Sequence, residues 1–337
     1  MNTHITLYSP AIALMPAPRI DSPFRRPFGD LSDKALAERL EFKKITPSNM
    51  QAIWKVLSLE PGRTTDFSYG GMLMWVDYFH YEYAILQDTL FIKGRVESDI
   101  SKVAFSLPVG SLPLERSVAI LREYCRLHNL PLIFSAVPEY ALEDFRKLSP
   151  AKIEELSDWA DYLYSAEMLS TLRGKKMSKK RNHVNQFLAA YPGYTFEELT
   201  PDNADEALRF MDSIDAEGDD TPMAVTERAL NRTMLGYVKA GDRNLLGGIL
   251  RDAEGNILAF TIGDIKDDTL FIHIEKALRS VAGGFEMINK TFAGSVCAAH
   301  PEIQFINRED DSGDEGLRYA KQSYHPVDLL KKYNITM

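Results

Sequence analysis

The sequence predicts an α+β protein built from two related halves, and three observations carry that prediction. The chain has 337 residues, about twice the length of a typical domain of ~150 residues. The succession helix, antiparallel strands, helix, strand is read twice along it, in place of strict strand–helix alternation. Two short segments also recur in the same order. Phe42, Ile45, Thr46, Pro47 and Asn49 match Phe196, Leu199, Thr200, Pro201 and Asn203, 154 residues further on. The Asp-Thr-Leu-Phe-Ile run at 88–92 returns at 268–272, 180 residues further on. Ordered matches at a similar offset are the mark of a duplicated unit; the alternative is two coincidental strand and cap signals.

The elements follow in order. Residues 1–38 read as an N-terminal extension, because five prolines fall within eighteen positions (Pro10 to Pro27) with little periodicity. The first domain is expected over 39–157 and the second over 158–337. In each copy of the first match, Thr caps a helix and Pro takes the first helical position, where its missing N–H costs nothing. Strands are expected at 83–87, 89–93 and 103–107, a helix at Leu114–His128 and an apolar strand at 131–136. In the second half, Leu245–Arg251 and 257–264 form a hairpin across residues 253–256. A strand at 269–275, a helix at 285–299 and a strand at 302–307 follow. Residues 327–335 read as a short helical turn and then a strand.

Composition removes several classes. Thirty-nine basic against 48 acidic side chains give a net charge of −9, unlike a protein that lives on non-specific nucleic-acid binding. Cys125 and Cys297 are too few for a disulfide framework or a four-ligand zinc site, and they fit a reducing cytoplasm. No apolar run approaches the ~20 residues that span a bilayer. No phosphate loop, dinucleotide fingerprint, zincin helix or nucleophile elbow is present. His273-Ile274-Glu275 lacks the second half of a zinc-deaminase signature. The acids at Asp215, Glu217 and Asp219, and at Asp310 and Asp314, fail the calcium-loop spacing, because Asp220 and Glu315 stand where glycine is needed. No metal site is expected.

Three segments carry chemistry. Residues 173–181 hold six cations in nine positions. A helix running to Leu188 turns Met177, Val184 and Leu188 to the core and Lys176, Lys180, His183 and Phe187 to a neighbouring face. Such a cluster suits solvent or an anionic ligand. Residues 307–318 hold five acids between Glu309 and Glu315, bracketed by Arg308 and Arg318, with Lys321 on the same helical face as Arg318. That mixture suits either a zwitterionic substrate or an internal ion-pair network. Residues 279–284 partly match a pyrophosphate-binding loop of acetyl-CoA-dependent transferases, with Ala282 in place of a glycine; a plain turn is the simpler reading.

Residues 161–165, 174–187, 273–277 and 307–326 (NREDDSGDEGLR onward) resemble an uncharacterised bacterial family related to the C-terminal domain of phosphatidylglycerol lysyltransferase. The resemblance runs from about residue 40 to the end. It implies two tandem GNAT-like domains of the kind found in Fem-type aminoacyl transferases, each a mixed, mostly antiparallel sheet with flanking helices. In characterised relatives an aminoacyl-tRNA donates its amino acid to a lipid hydroxyl or a peptidoglycan amine. Here no counterpart of the lysyltransferase's transmembrane half is expected.

The expectation is therefore a cytoplasmic acyl- or aminoacyl-transferase. Its donor is aminoacyl-tRNA or acyl-CoA, its acceptor is an unidentified amine or hydroxyl, and no tightly bound cofactor is expected. Glu309 or Asp311 serves as amine binder or base, with His273 and Glu275 as secondary bases. Arg308, Arg318 and Lys321 bind a carboxylate or phosphate. Lys176, Lys179, Lys180 and Arg181 hold donor phosphates, and Ser323 and Tyr324 donate to the oxyanion. The competing expectation is a catalytically silent tandem module that binds a small ligand or a partner protein. Catalysis requires the 308–324 cluster to meet the cationic helix; silence leaves them apart, or the cluster buried and fully paired.

Overall fold

The computed structural model describes residues 31–215 and 221–337. Residues 1–30 of the extension, and Glu217, Asp219 and Asp220, lie outside the described residues. Within 31–38 the chain is already structured. Ser32 caps a short helix, Asp33–Ala37, and Leu36 and Ala37 are buried in the first half's core.

Two sheets organise the molecule. The first uses β1 (Lys43–Lys44), β2 (Glu82–Leu86), β3 (Thr89–Val96), β4 (Asp99–Phe105), β5 (Val109–Gly110), β6 (Ile133–Pro138) and β7 (Lys152–Glu155). The second uses β8 (Asp161–Ser165), β9 (Thr195–Glu198), β10 (Leu245–Arg251), β11 (Ile257–Lys266), β12 (Thr269–Ala277), β13 (Phe305–Asn307) and β14 (Asp328–Leu330). The last strand, β15 (Lys332–Thr336), returns to the first sheet between β6 and β7.

The orders superpose along their whole length. The first sheet runs β1-β2-β3-β4-β6-β15-β7 and the second β9-β10-β11-β12-β13-β8-β14. The strand after β7 enters the second sheet, and the strand after β14 enters the first. Each half thus completes the other, and a cut at 157/158 leaves residues 332–336 outside the sheet they belong to. The expected helical turn near 327 is β14 instead, paired with β8.

The duplication rests on one of the two sequence matches. Asn49 Oδ1 accepts from the Thr46 N–H at 2.9 Å, and Asn49 Nδ2 donates to the Lys44 carbonyl at 3.0 Å. Asn203 repeats both bonds, accepting from Thr200 N at 2.8 Å and donating to the Glu198 carbonyl at 2.9 Å. These caps follow β1 and β9, which hold equivalent places. The Asp-Thr-Leu-Phe-Ile match does not correspond, because Asp88 precedes β3 whereas Asp268 precedes β12. It is a hairpin signal met twice.

Each half has its own apolar core, and a third core is shared. In the shared core, Met50, Ile53, Phe67 and Leu73 of the first half pack with Leu199, Phe210, Ile249 and Phe260 of the second. Among the described residues no helix is long and apolar enough to cross a membrane.

Candidate active site

Parallel strands β12 and β13 run side by side only through Phe271↔Asn307 and then part. Beyond that pair, β12 supplies His273 and Glu275, and the chain leaving β13 supplies Arg308 and Glu309. A β-bulge leaves His273 without a partner on β11 and breaks the alternation along β12, so His273 turns to Asp264 while Glu275 turns the other way, to Asn289, and the single face expected for the pair does not form.

Two contacts bridge the gap. Arg308 Nη2 donates to Glu275 Oε1 at 2.9 Å, and Asn289 Nδ2 donates to Glu275 Oε2 at 2.9 Å. His273 Nδ1 lies 2.8 Å from Glu309 Oε1, and Nε2 lies 2.5 Å from Asp264 Oδ1. Burial works to lower the His273 pKa, and its bonds to Asp264 and Glu309 outweigh it, raising it to about 10. Glu309 has a left-handed backbone, φ +57°. Its amide donates to Asn307 Oδ1 at 2.7 Å and its carbonyl accepts from Tyr162 N at 3.0 Å. These bonds hold a conformation that a non-glycine residue otherwise avoids.

The cationic segment reaches this gap. Its helix is Ser178–Ala190, so Lys176 lies in the turn before it. Lys180 Nζ sits 3.8 Å from the centre of the Tyr324 ring, and the Arg308 guanidinium covers the same ring at 4.7 Å. Glu286, in the first turn of helix Gly284–Ala299, takes Lys180 Nζ at 3.2 Å and His183 Nδ1 at 2.9 Å. Burial works to raise the Glu286 carboxyl, and His183 and Lys180 outweigh it, holding it below the usual range. Gly283 at φ +76° lets this helix abut the other one: a Cβ there would lie 2.0 Å from the His183 carbonyl oxygen. Met177 and Val184 are buried as expected; Leu188 is exposed and Phe187 takes its place in the core. The helix turns Phe187 inward with Met177 and Val184, on the face packed against helix 284–299.

Other expected site residues have structural partners. Asp311 is buried; its carboxylate accepts from Arg318 Nε and Nη2 at 3.0 and 2.8 Å and from the Tyr162 hydroxyl at 2.6 Å. Arg318 also binds Asp158 at 2.9 Å. Lys321 is buried and donates to the carbonyls of Arg308 and Asp310. Arg181 ties down the carbonyls of Leu172 and Gly174. The Ser323 hydroxyl donates to Ala320 O at 2.6 Å. For Asp311 and Arg318 the ion-pair network is thus the reading the geometry favours. Lys176 and Lys179 are exposed.

Sequence reasoning missed three buried polar residues. Asp264 accepts backbone N–H bonds from Tyr69 and Gly70 at 3.2 and 3.0 Å. Lys332, the first residue of β15, pairs at 2.9 Å with Asp66 and with Asp161, the first residue of β8. The two exchanged strands are thus pinned to each other by an ion pair. A lone carboxylate inside the apolar run 257–265 was the available signal for Asp264.

Comparison with known proteins agrees with this architecture. The family model described as phosphatidylglycerol lysyltransferase, C-terminal, matches residues 60–336. A conserved protein of unknown function from Bacteroides thetaiotaomicron is 31% identical, with a TM-score of 0.80, over 88% of this chain and 99% of that one. L-PGS from Bacillus licheniformis shares the fold at 15% identity and a TM-score of 0.59, over 87% of this chain and 92% of that one. FemX does so at 10% identity and a TM-score of 0.59, over 88% and 98%. An uncharacterised protein of Mycoplasmoides gallisepticum is 24% identical over 174 residues, 51% of this chain and 54% of that protein. The chain thus spans about half the length of the curated relative it matches. With a family model covering most of its length, the chain belongs to the phosphatidylglycerol lysyltransferase C-terminal family.

Proposed function

We propose that this chain transfers an aminoacyl group to an amine or hydroxyl acceptor at the gap between β12 and β13. The observation that carries the reading is Arg308 Nη1, buried beside Glu275 without a hydrogen-bond partner. An unmet buried donor costs about 1–3 kcal/mol, and a ligand oxygen in the gap removes that cost. Asn289 Oδ1, on the other side of Glu275, is also unpaired. The gap therefore offers donors for a carbonyl and carboxylates for an ammonium.

In this reading Glu309 receives the proton of the acceptor nucleophile as that nucleophile attacks the donor's ester carbon. Arg308 stabilises the oxyanion, and Glu309 passes the proton it received to the tRNA ribose oxygen as the ester C–O bond breaks. Lys176 and Lys179 meet donor phosphates, while Asp311, Arg318, Arg181 and Ser323 hold the surrounding frame. Two points favour an aminoacyl donor over acyl-CoA. The family is named for a lysyltransferase. The helix start at Gly284, where a pyrophosphate would sit, already carries the Glu286 carboxylate under helix 178–190.

The test is binding of fluorescently labelled charged tRNA across a salt series, with acetyl-CoA as competitor. Binding should weaken with salt, and Lys176→Glu with Lys179→Glu should flatten the log–log slope by roughly 1–2. Displacement by acetyl-CoA moves the reading to an acyl-CoA donor. Absence of binding at low salt removes tRNA as donor.

A further inference from the structure

We propose that the first half of the chain is a working part of the second half's site: through Gly70 and Asp264 it positions His273 and keeps it charged, and His273 in turn positions Glu309. The inference rests on Glu309 acting at the gap as described above. Asp264 and Gly70 are positioning residues, since neither lies in the gap itself.

The chain of contacts is continuous and buried. Helix Tyr69–Trp75 belongs to the first half, and its first two amides, Tyr69 N and Gly70 N, donate to the Asp264 carboxylate at 3.2 and 3.0 Å. These two backbone donors fix where the carboxylate sits. Asp264 Oδ1 also faces His273 Nε2, and His273 Nδ1 faces Glu309 Oε1. A neutral imidazole has a single N–H and satisfies one carboxylate; the imidazolium satisfies both. The side chains of Asp264 and His273 are fully buried, whereas that of Glu309 is 19% exposed. Glu309 is therefore the member of the set that reaches the gap. Among the described residues, the charged groups bonded to the ring are Asp264 from β11 and Glu309 from the loop after β13; the first half contributes the two amides that hold Asp264. The neighbouring Tyr69 phenol is turned to Asp242, at 2.8 Å.

Gly70 makes the arrangement specific. A Cβ at this position would lie 2.4 Å from His273 Nε2 and 2.8 Å from Asp264 Oδ1. A larger residue would push the imidazole off its carboxylate, so the helix must present glycine there. The raised His273 pKa is what this geometry produces.

The experiment is NMR of the full chain with 15N-labelled histidine, alongside single-turnover kinetics. In the wild type both His273 ring nitrogens should carry protons at neutral pH, with a titration midpoint near 10. Asp264→Asn, which keeps the shape and removes the charge, should lower that midpoint by about 1–3 units. It should also reduce kcat about tenfold, with KM for the donor changed less than about twofold. Gly70→Ala should act in the same direction; if it does not fold, Asp264→Asn still decides. A wild-type midpoint near the ordinary histidine value, or one unmoved by Asp264→Asn, overturns the proposal. So does an active enzyme whose kcat Asp264→Asn leaves unchanged. A raised, Asp264-dependent midpoint in a chain inactive with every donor supports the coupling and removes the transferase reading, so the two fail separately.

Discussion

The two halves share a strand order and differ in what lies at one equivalent place. In the first half the parallel pair β4 and β6 meets only at Phe105↔Phe134; in the second the last pair is Phe271↔Asn307. Two residues past each pair the chain turns left-handed, at Ala136 with φ +55° and at Glu309 with φ +57°. The cavity beside the first half's pair is lined by Phe67, Phe79 and Tyr81 together with Asp66, Arg95, Glu97 and Ser135, and it leaves about 10 Å³, room for roughly one water. The second half's gap instead holds His273, Glu275, Arg308 and Glu309. Duplication has kept even the strained residue, while the charged side chains differ: Asp66, Arg95 and Glu97 around a closed cavity in the first half, and His273, Glu275, Arg308 and Glu309 in the second. The first half keeps a part in that site through helix 69–75.

The largest effect should come from breaking the mutual completion of the sheets. Lys332→Ala leaves the buried Asp161 and the half-buried Asp66 without their cation. It should cost about 3–5 kcal/mol and loosen β15, seen by thermal unfolding and by hydrogen exchange of residues 332–336. Next is His273. Its folded pKa is raised to about 10, so its stabilisation is complete below the unfolded value of about 6.5 and is lost as pH rises through about 10. The stability difference between wild type and His273→Gln should therefore shrink from pH 6 to pH 10, by about 1.4 kcal/mol per unit of pKa separation. Denaturant titrations at several pH values read this directly. The matched caps sharpen the comparison: Asn49→Ala and Asn203→Ala should each cost about 1 kcal/mol, and equally within about 0.5 kcal/mol. The smallest effect separates strain from function. Ala136→Gly should raise stability by about 0.5–1 kcal/mol. Glu309→Gly relieves the same strain but leaves His273 without its partner, so it should gain less stability and lose activity.

Local features were legible in the sequence and distant partners were not. The Thr-Pro-x-Asn caps were readable because their hydrogen bonds close within six residues. Helix Leu114–His128 and the 245–266 hairpin followed from periodicity for the same reason. Arg308 and Glu309 stood out as charges just after a strand, and His273 and Glu275 as polar groups within one. The destination of β15 was hidden, because alternation specifies a strand and not its sheet. Asp311 and Arg318 looked like ligand binders because a paired network and an open site have the same composition. Gly70 carried no signal, since its constraint comes from a histidine 203 residues away in sequence.

The most direct measurement follows labelled amino acid from a mixture of charged tRNAs, in single turnover, onto a panel of small amines and anionic phospholipid vesicles. The wild type should accelerate transfer to at least one acceptor class. Glu309→Gln and Arg308→Lys should lose that acceleration while unfolding at wild-type temperatures. No acceleration with any aminoacyl donor, or full activity in Glu309→Gln, would contradict it.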